Sequence, residues 1–197
     1  MSNLDEYHRH RHGLSDTLAA CPVPRLIARP DDEAGPFADR VDQLIADCAL
    51  PTGARVLDYG CGAGQETDRL ARAAGGHALG VDASMPMIRE AAATPRTRFA
   101  HAPNGVVPAG RHSFDVVHVS LMLDQLHGRN LTRAAGELLR VLKPGGLLVL
   151  IKTADDATDY HALLLGVTLK TEAQLETSST RWSLLAGRCE TRALTTA

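Results

Sequence analysis

The sequence predicts an α/β fold in which a mainly parallel sheet is covered by helices on both faces. Three observations carry this expectation. From about residue 36 onward, short apolar runs alternate with stretches of helical period, and strands alternating with helices of ~10 to 15 residues build parallel sheets buried on both sides. The stretch Val56-Leu57-Asp58-Tyr59-Gly60-Cys61-Gly62-Ala63-Gly64 sets three glycines directly behind an apolar strand, at the turn where open parallel sheets bind their ligands. Val167 to Leu175 and Trp182 to Cys189 then read as two strands of a hairpin, which is necessarily antiparallel.

The elements follow in order. Residues 1 to about 35 are rich in Arg, His, Pro and Asp without a sustained period, and are expected to form an arm or lid ahead of one domain over 36–197. Phe37, Val41, Leu44, Ile45 and Cys48 recur at helical spacing behind Pro36, and the helix ends before Pro51-Thr52-Gly53. Arg55 to Tyr59 reads as a buried strand, and Gln65 to Ala74 as a helix with Leu70, Ala71 and Ala74 inward. A strand at His77 to Val81 precedes a helix capped by Ser84, with Met87, Ile88 and Ala91 inward, and a strand near Thr97 to Ala100. An irregular loop over Pro103 to His112 leads into the buried strand Phe114 to Val119. Asn130 is placed to cap a helix striped by Leu131, Ala134, Leu138, Val141 and Leu142, after which Lys143-Pro144-Gly145-Gly146 turns into the strand Leu147 to Ile151. Asp159 is placed to cap a short helix over Tyr160 to Leu165, and Trp182 to anchor the hairpin on the core. The apolar stripes are assigned to the core.

Composition narrows the function classes. A chain of 197 residues suits one domain that folds without disulfide or metal staples. Lys+Arg is 21 against Asp+Glu 23, a formal net charge of -2, so no global field favours nucleic acid or an anionic membrane. Only Lys143, Lys152 and Lys170 are lysines; this bias toward Arg, with many alanines, looks like a GC-rich, bacterial coding sequence. Cys21, Cys48, Cys61 and Cys189 lack C-x-x-C spacing, which argues against a zinc site or disulfide framework and fits a reducing cytoplasm. Neither a signal peptide nor a membrane span is read. The run Tyr7-His8-Arg9-His10-Arg11-His12 invites a metal hypothesis, but its interleaved arginines favour a basic arm. No metal site is expected.

The glycine spacing carries chemical information. A dinucleotide fold asks for G-x-G-x-x-G, whereas Gly60-x-Gly62-x-Gly64 is one residue shorter and has Asp58 two residues upstream. A carboxylate there repels a pyrophosphate and tolerates a cation, which favours a ligand without phosphates. A second acid, Asp82, follows the second strand and is suited to accept hydrogen bonds from ribose hydroxyls. A nicotinamide oxidoreductase is disfavoured on the same grounds.

VLDYGCGAG, then GVDAS (Gly80 to Ser84), FDVV (Phe114 to Val117) and LLRVLKPGG (Leu138 to Gly146) closely resemble, in order and spacing, the motifs of class I S-adenosylmethionine-dependent methyltransferases, nearest to the small-molecule group called type 11. The resemblance covers roughly residues 36 to 152. It implies a Rossmann-like, doubly wound sheet of seven strands with the last antiparallel. It also implies S-adenosylmethionine as cofactor, with Asp58, Gly60 and Gly62 at its methionine and ribose parts and Asp82 on the ribose diol. Cys61, Ala83, Met87, Asn104 and Ser120 are further cofactor-binding residues on this resemblance. Where many relatives carry an acid toward the adenine amine, this chain has His101-Ala102-Pro103-Asn104; the Asn104 amide oxygen and a backbone carbonyl both remain candidates. Where relatives often carry His after the fourth strand, this chain has Asp124, with His127 three residues on.

Methyl transfer from a sulfonium is an in-line displacement in which alignment can supply ~7 to 11 kcal/mol, so no obligatory triad is expected. If the acceptor is a hydroxyl or protonated amine, a base adds about 10²- to 10⁴-fold. Asp124 and His127 are the candidates by loop position, against the alternative of a solvated loop residue or helix cap. Cys61 reads as a packing residue, not a nucleophile. The leading expectation is methyl transfer to a small-molecule O, N or C acceptor. The second is a chain that binds the same cofactor without transferring methyl, as a scaffold or regulator or in a different reaction. Oligomeric state is open, a homodimer included.

Overall fold

The computed structural model describes residues 37–153, 156–176 and 181–190. The arm expected over 1–35, with its Tyr7 to His12 run, lies outside the described residues. In chain order the elements are α1 (Ala38–Ala46), β1 (Arg55–Tyr59), α2 (Thr67–Ala73), β2 (His77–Asp82), α3 (Met85–Glu90), β3 (Thr97–His101), β4 (Phe114–Ser120), α4 (Gly128–Val141), β5 (Leu142–Thr153), α5 (Tyr160–Leu163), β6 (Val167–Glu176) and β7 (Arg181–Cys189). The alternation expected from the apolar periods is present.

These strands form one seven-stranded sheet of order β3-β2-β1-β4-β5-β7-β6. β1, β2, β3, β4 and β5 pair in parallel, while β7 runs antiparallel to both β5 and β6. The Rossmann-like, doubly wound architecture with its last strand reversed is therefore observed. Alternate residues of the central strands serve two cores, because successive side chains of a strand point to opposite faces. Leu57, Val117 and Val119 join Ala134, Leu138 and Val141 of α4 and Tyr160 of α5 on one face. Val56, Val116 and Val149 join Val41 and Ile45 of α1 and Leu70 and Ala71 of α2 on the other. Trp182 is buried, as its anchoring role requires.

Two boundaries differ from expectation by more than two residues. Asn130 does not cap α4: the helix starts at Gly128 from an extended His127, and the Asn130 N–H donates to the His127 carbonyl inside the first turn. β5 begins at Leu142, earlier than Leu147, because Leu142 already pairs with Phe114 before a bulge carries the ladder to Val116 and Leu147. The Lys-Pro-Gly-Gly segment fills that bulge, an extra length of chain that bends the strand. Asp115 braces it, its Oδ1 2.8 Å from Lys143 Nζ and its Oδ2 accepting the Arg55 N–H at 2.9 Å. One side chain of the FDVV motif thus joins β1, β4 and β5.

Candidate functional site

The glycine turn sits at the C-terminal end of β1, pinned from β2. The Val81 carbonyl accepts the N–H groups of both Gly60 and Cys61, at 2.8 and 3.0 Å. Asp82, the last residue of β2, receives the Gly62 N–H on Oδ2 at 2.9 Å and the Ser84 N–H on Oδ1 at 2.7 Å. One carboxylate therefore joins the turn to the start of α3, and each oxygen keeps acceptor capacity for a further donor. Gly60 and Gly64 both have φ +81°, a left-handed conformation that costs any residue with a Cβ. They are also crowded. A Cβ on Gly60 would lie 2.7 Å from Met122 Cγ, and one on Gly64 2.5 Å from the Phe99 ring.

Asp58 lies beneath the turn and is nearly buried, 4 % exposed. Its Oδ2 accepts from Thr67 Oγ1 at 2.6 Å and its Oδ1 faces His118 Nδ1 at 3.0 Å. Cys61 is packed against Gly80, and burial pushes its thiol far up, with the Asp58 and Asp82 charges adding to the effect. A thiol held protonated in this way is a poor nucleophile.

Past β3, Asn104 is exposed in the turn that closes with the Gly105 N–H on the Ala102 carbonyl. Ala83 is half-buried, and its carbonyl accepts from His101 Nε2 at 3.0 Å. Met87, on the inner face of α3, is buried at 2 % exposure. The Tyr59 hydroxyl donates to the Gly105 carbonyl at 2.9 Å, and burial pushes its pKa up to about 12. The rest of this loop is held by α4. Glu137 Oε1 accepts the Val107 N–H at 2.7 Å, while Arg140 reaches Glu137 and the carbonyls of Val107 and Ala109.

Ser120 ends β4, and the next residue, Leu121, takes φ 51°. A bulky residue in that region stores strain, a feature that concentrates at functional sites. The turn sends Met122 over Gly60 and Asp124 toward the end of β5. Asp124 Oδ2 accepts the Thr153 N–H at 2.8 Å, while its buried Oδ1 has no hydrogen-bond partner among the described residues. Burial raises the Asp124 pKa above the ordinary carboxylate value, against the lowering effect of the Thr153 N–H. Close by, Asp156 accepts from the Tyr160 hydroxyl at 2.5 Å and from Thr158. His127 is exposed at the start of α4. The two residues proposed from loop position therefore differ in setting, one half-buried and tied down, the other in solvent.

Sequence reasoning missed His118, Thr67, Met122 and Leu121. A polar residue within FDVVHVS was a signal for the first; nothing local marks the other three.

The residues of the turn suit a cation-bearing cofactor without phosphates. Two acids stand at the ends of β1 and β2, no basic side chain occurs in VLDYGCGAG, and the glycines leave the backbone bare.

Comparison with known proteins agrees. The family described as "Methyltransferase domain" matches residues 56–146. The "Uncharacterized methyltransferase sll0829" of Synechocystis sp. is 34% identical over 115 residues, 57% of this chain and 54% of that protein. The demethylmenaquinone methyltransferase of Clavibacter sepedonicus is 38% identical over 147 residues, 64% of this chain and 58% of that protein. The chain thus spans a little over half the length of these curated relatives. Among solved structures, the [4+2]-cyclase SpnF superposes with a TM-score of 0.64 at 19% identity, covering 94% of each chain. A TehB-like SAM-dependent methyltransferase from Corynebacterium glutamicum gives 0.61 at 17% identity, over 95% of this chain and 100% of that one. These two likenesses establish the fold.

Proposed function

We propose that the chain, whose residues 56–146 match the family described as a methyltransferase domain, is a methyltransferase of the class I, S-adenosylmethionine-dependent kind and transfers a methyl group to a small-molecule acceptor. The observation that supports this best is the pair Asp58 and Asp82, set at the ends of β1 and β2 around the pinned glycine turn. On this reading Asp58 offers negative charge toward the cofactor's positive groups, and Asp82, with lone pairs to spare, takes the ribose diol. Gly60, Cys61 and Gly62 present backbone, while Ala83, Met87, Asn104 and Ser120 border the adenosine. When bound, S-adenosylmethionine supplies a methyl group already activated on a sulfonium.

The chain's own part is to hold the acceptor in line and to take its proton. Asp124 is the favoured base, because burial keeps its proton affinity above that of an ordinary carboxylate and its Oδ1 lacks a partner. His127 is the second candidate. For the acceptor, the relatives named demethylmenaquinone methyltransferase put demethylmenaquinone first in a test panel, followed by phenols and amines.

Calorimetric titration with S-adenosylmethionine and S-adenosylhomocysteine, followed by transfer of labelled methyl to that panel, tests the proposal. Binding with labelled product is the expected result. Absence of binding overturns the cofactor reading. Binding without product across the panel supports the second reading, a chain that uses the cofactor without methyl transfer.

A further inference from the structure

His118 is fully buried, at 0 % exposure, in a strand whose neighbours Val116, Val117 and Val119 are equally buried. Packing alone asks for another aliphatic residue there, since a buried imidazole without partners is costly. The β1–β4 register sets His118 beside Asp58. Its Nδ1 lies 3.0 Å from Asp58 Oδ1, and because a carboxylate oxygen accepts, the ring N–H donates. Thr67, at the start of α2, donates to the other oxygen at 2.6 Å. Asp58 is thereby clamped from β4 and from α2 at once. Beyond the ring, Nε2 lies 3.8 Å from Glu66 Oε2, which in turn lies 3.9 Å from Arg69 Nη2. Arg69 is also bonded to Asp42 and to the Ala38 carbonyl of α1.

We propose that His118 is a positioning residue of the cofactor site, holding the Asp58 carboxylate in one orientation beneath the glycine turn so that it meets the cofactor's ammonium group without reorganising. Preorganised charge of this kind is worth more than the same charge on a mobile side chain. The inference rests on the reading of the turn as the S-adenosylmethionine site. It assigns His118 no contact with the cofactor; the effect passes through Asp58.

The test uses two ligands that differ only at the amino-acid end. S-adenosylhomocysteine carries the ammonium and carboxylate, whereas methylthioadenosine lacks both. In calorimetric titrations His118→Val weakens S-adenosylhomocysteine binding on the order of tenfold, the equivalent of one hydrogen bond to a charged group, and leaves methylthioadenosine within about twofold. His118→Asn, which keeps an N–H near the Nδ1 position, restores S-adenosylhomocysteine binding to within about threefold on the same scale. Should the valine variant not fold, His118→Gln keeps a polar head but displaces it from Asp58, and makes the same comparison. Equal weakening of both ligands, or a lower melting temperature with unchanged S-adenosylhomocysteine affinity, overturns the inference and leaves the site reading intact. Failure of the wild-type protein to bind either ligand overturns the site reading and this inference with it.

Discussion

The N–H of Gly62 donates to Asp82 Oδ2 at 2.9 Å, so the acid that ends β2 holds the turn that ends β1. Asp82 therefore has a structural duty in addition to any contact with a ligand, and its removal is felt on both counts. Asp82→Ala deletes two hydrogen bonds from backbone N–H groups to a charged acceptor, each worth about 1.5 to 3 kcal/mol. The expected outcome is a loss of S-adenosylhomocysteine affinity of at least about tenfold, read by calorimetry, with the far-ultraviolet circular dichroism spectrum unchanged.

Two glycines with nearly the same backbone conformation separate strain from crowding. Gly64 has φ +81° and would set a Cβ 2.5 Å from the Phe99 ring, whereas Gly145 has φ +75° and open space. Gly145→Ala costs only the backbone penalty, about 1 to 2 kcal/mol. Gly64→Ala adds an overpacking cost of about 1 to 3 kcal/mol to the same penalty. Urea unfolding of the pair measures the difference directly.

Asp124 carries a pH signature as well as a proposed role. Its folded pKa is raised above 3.8 by burial, so the native state keeps a proton that the unfolded chain releases. Its contribution to stability is then greatest below about 3.8 and falls as pH rises through the folded value. Asp124→Asn, which keeps an acceptor for the Thr153 N–H, gains stability relative to wild type across that window, as unfolding at a series of pH values shows. If Asp124 is the base, the same variant loses about 10²- to 10⁴-fold in kcat.

Glu137 has the opposite sign. The Arg140 hydrogen bond holds its carboxyl below 4.5 despite partial burial, and the Val107 N–H adds to the effect. The stabilisation is present above the unfolded value and is lost as pH falls through the folded one. Glu137→Gln costs about 1 to 3 kcal/mol at pH 7, and the gap from wild type closes in acid. It also loosens the loop that carries Asn104, which hydrogen exchange at Gly105 and Val107 reports.

The sheet was legible in the sequence because its signals are local. The apolar runs Val56-Leu57 and Leu147 to Ile151, the glycines and the terminal hairpin each announce themselves within a few residues, and all appear in the fold. The start of α4 was misplaced by three residues because Asn130 is a good cap by type, while the chain already turns at Gly128. The site was legible only in part, since Asp58 and Asp82 lie in motifs but their partners do not. His118 reaches Asp58 through strand register across a sequence separation of 60 residues, and Met122 reaches Gly60 through the left-handed turn at Leu121. Pairings of this kind are set by tertiary geometry, to which local propensity is blind.

The position of β7 has a consequence for synthesis. It is the last of the described strands in the chain, yet it lies inside the sheet, between β5 and β6. A growing chain therefore completes β5 with one edge unpaired, and makes β6 before the neighbour it needs exists. Until residues 181–189 leave the ribosome, Leu147 to Ile151 present an open row of backbone donors and acceptors, the kind of edge on which nascent chains associate. Final closure of the fold waits for its C-terminal hairpin.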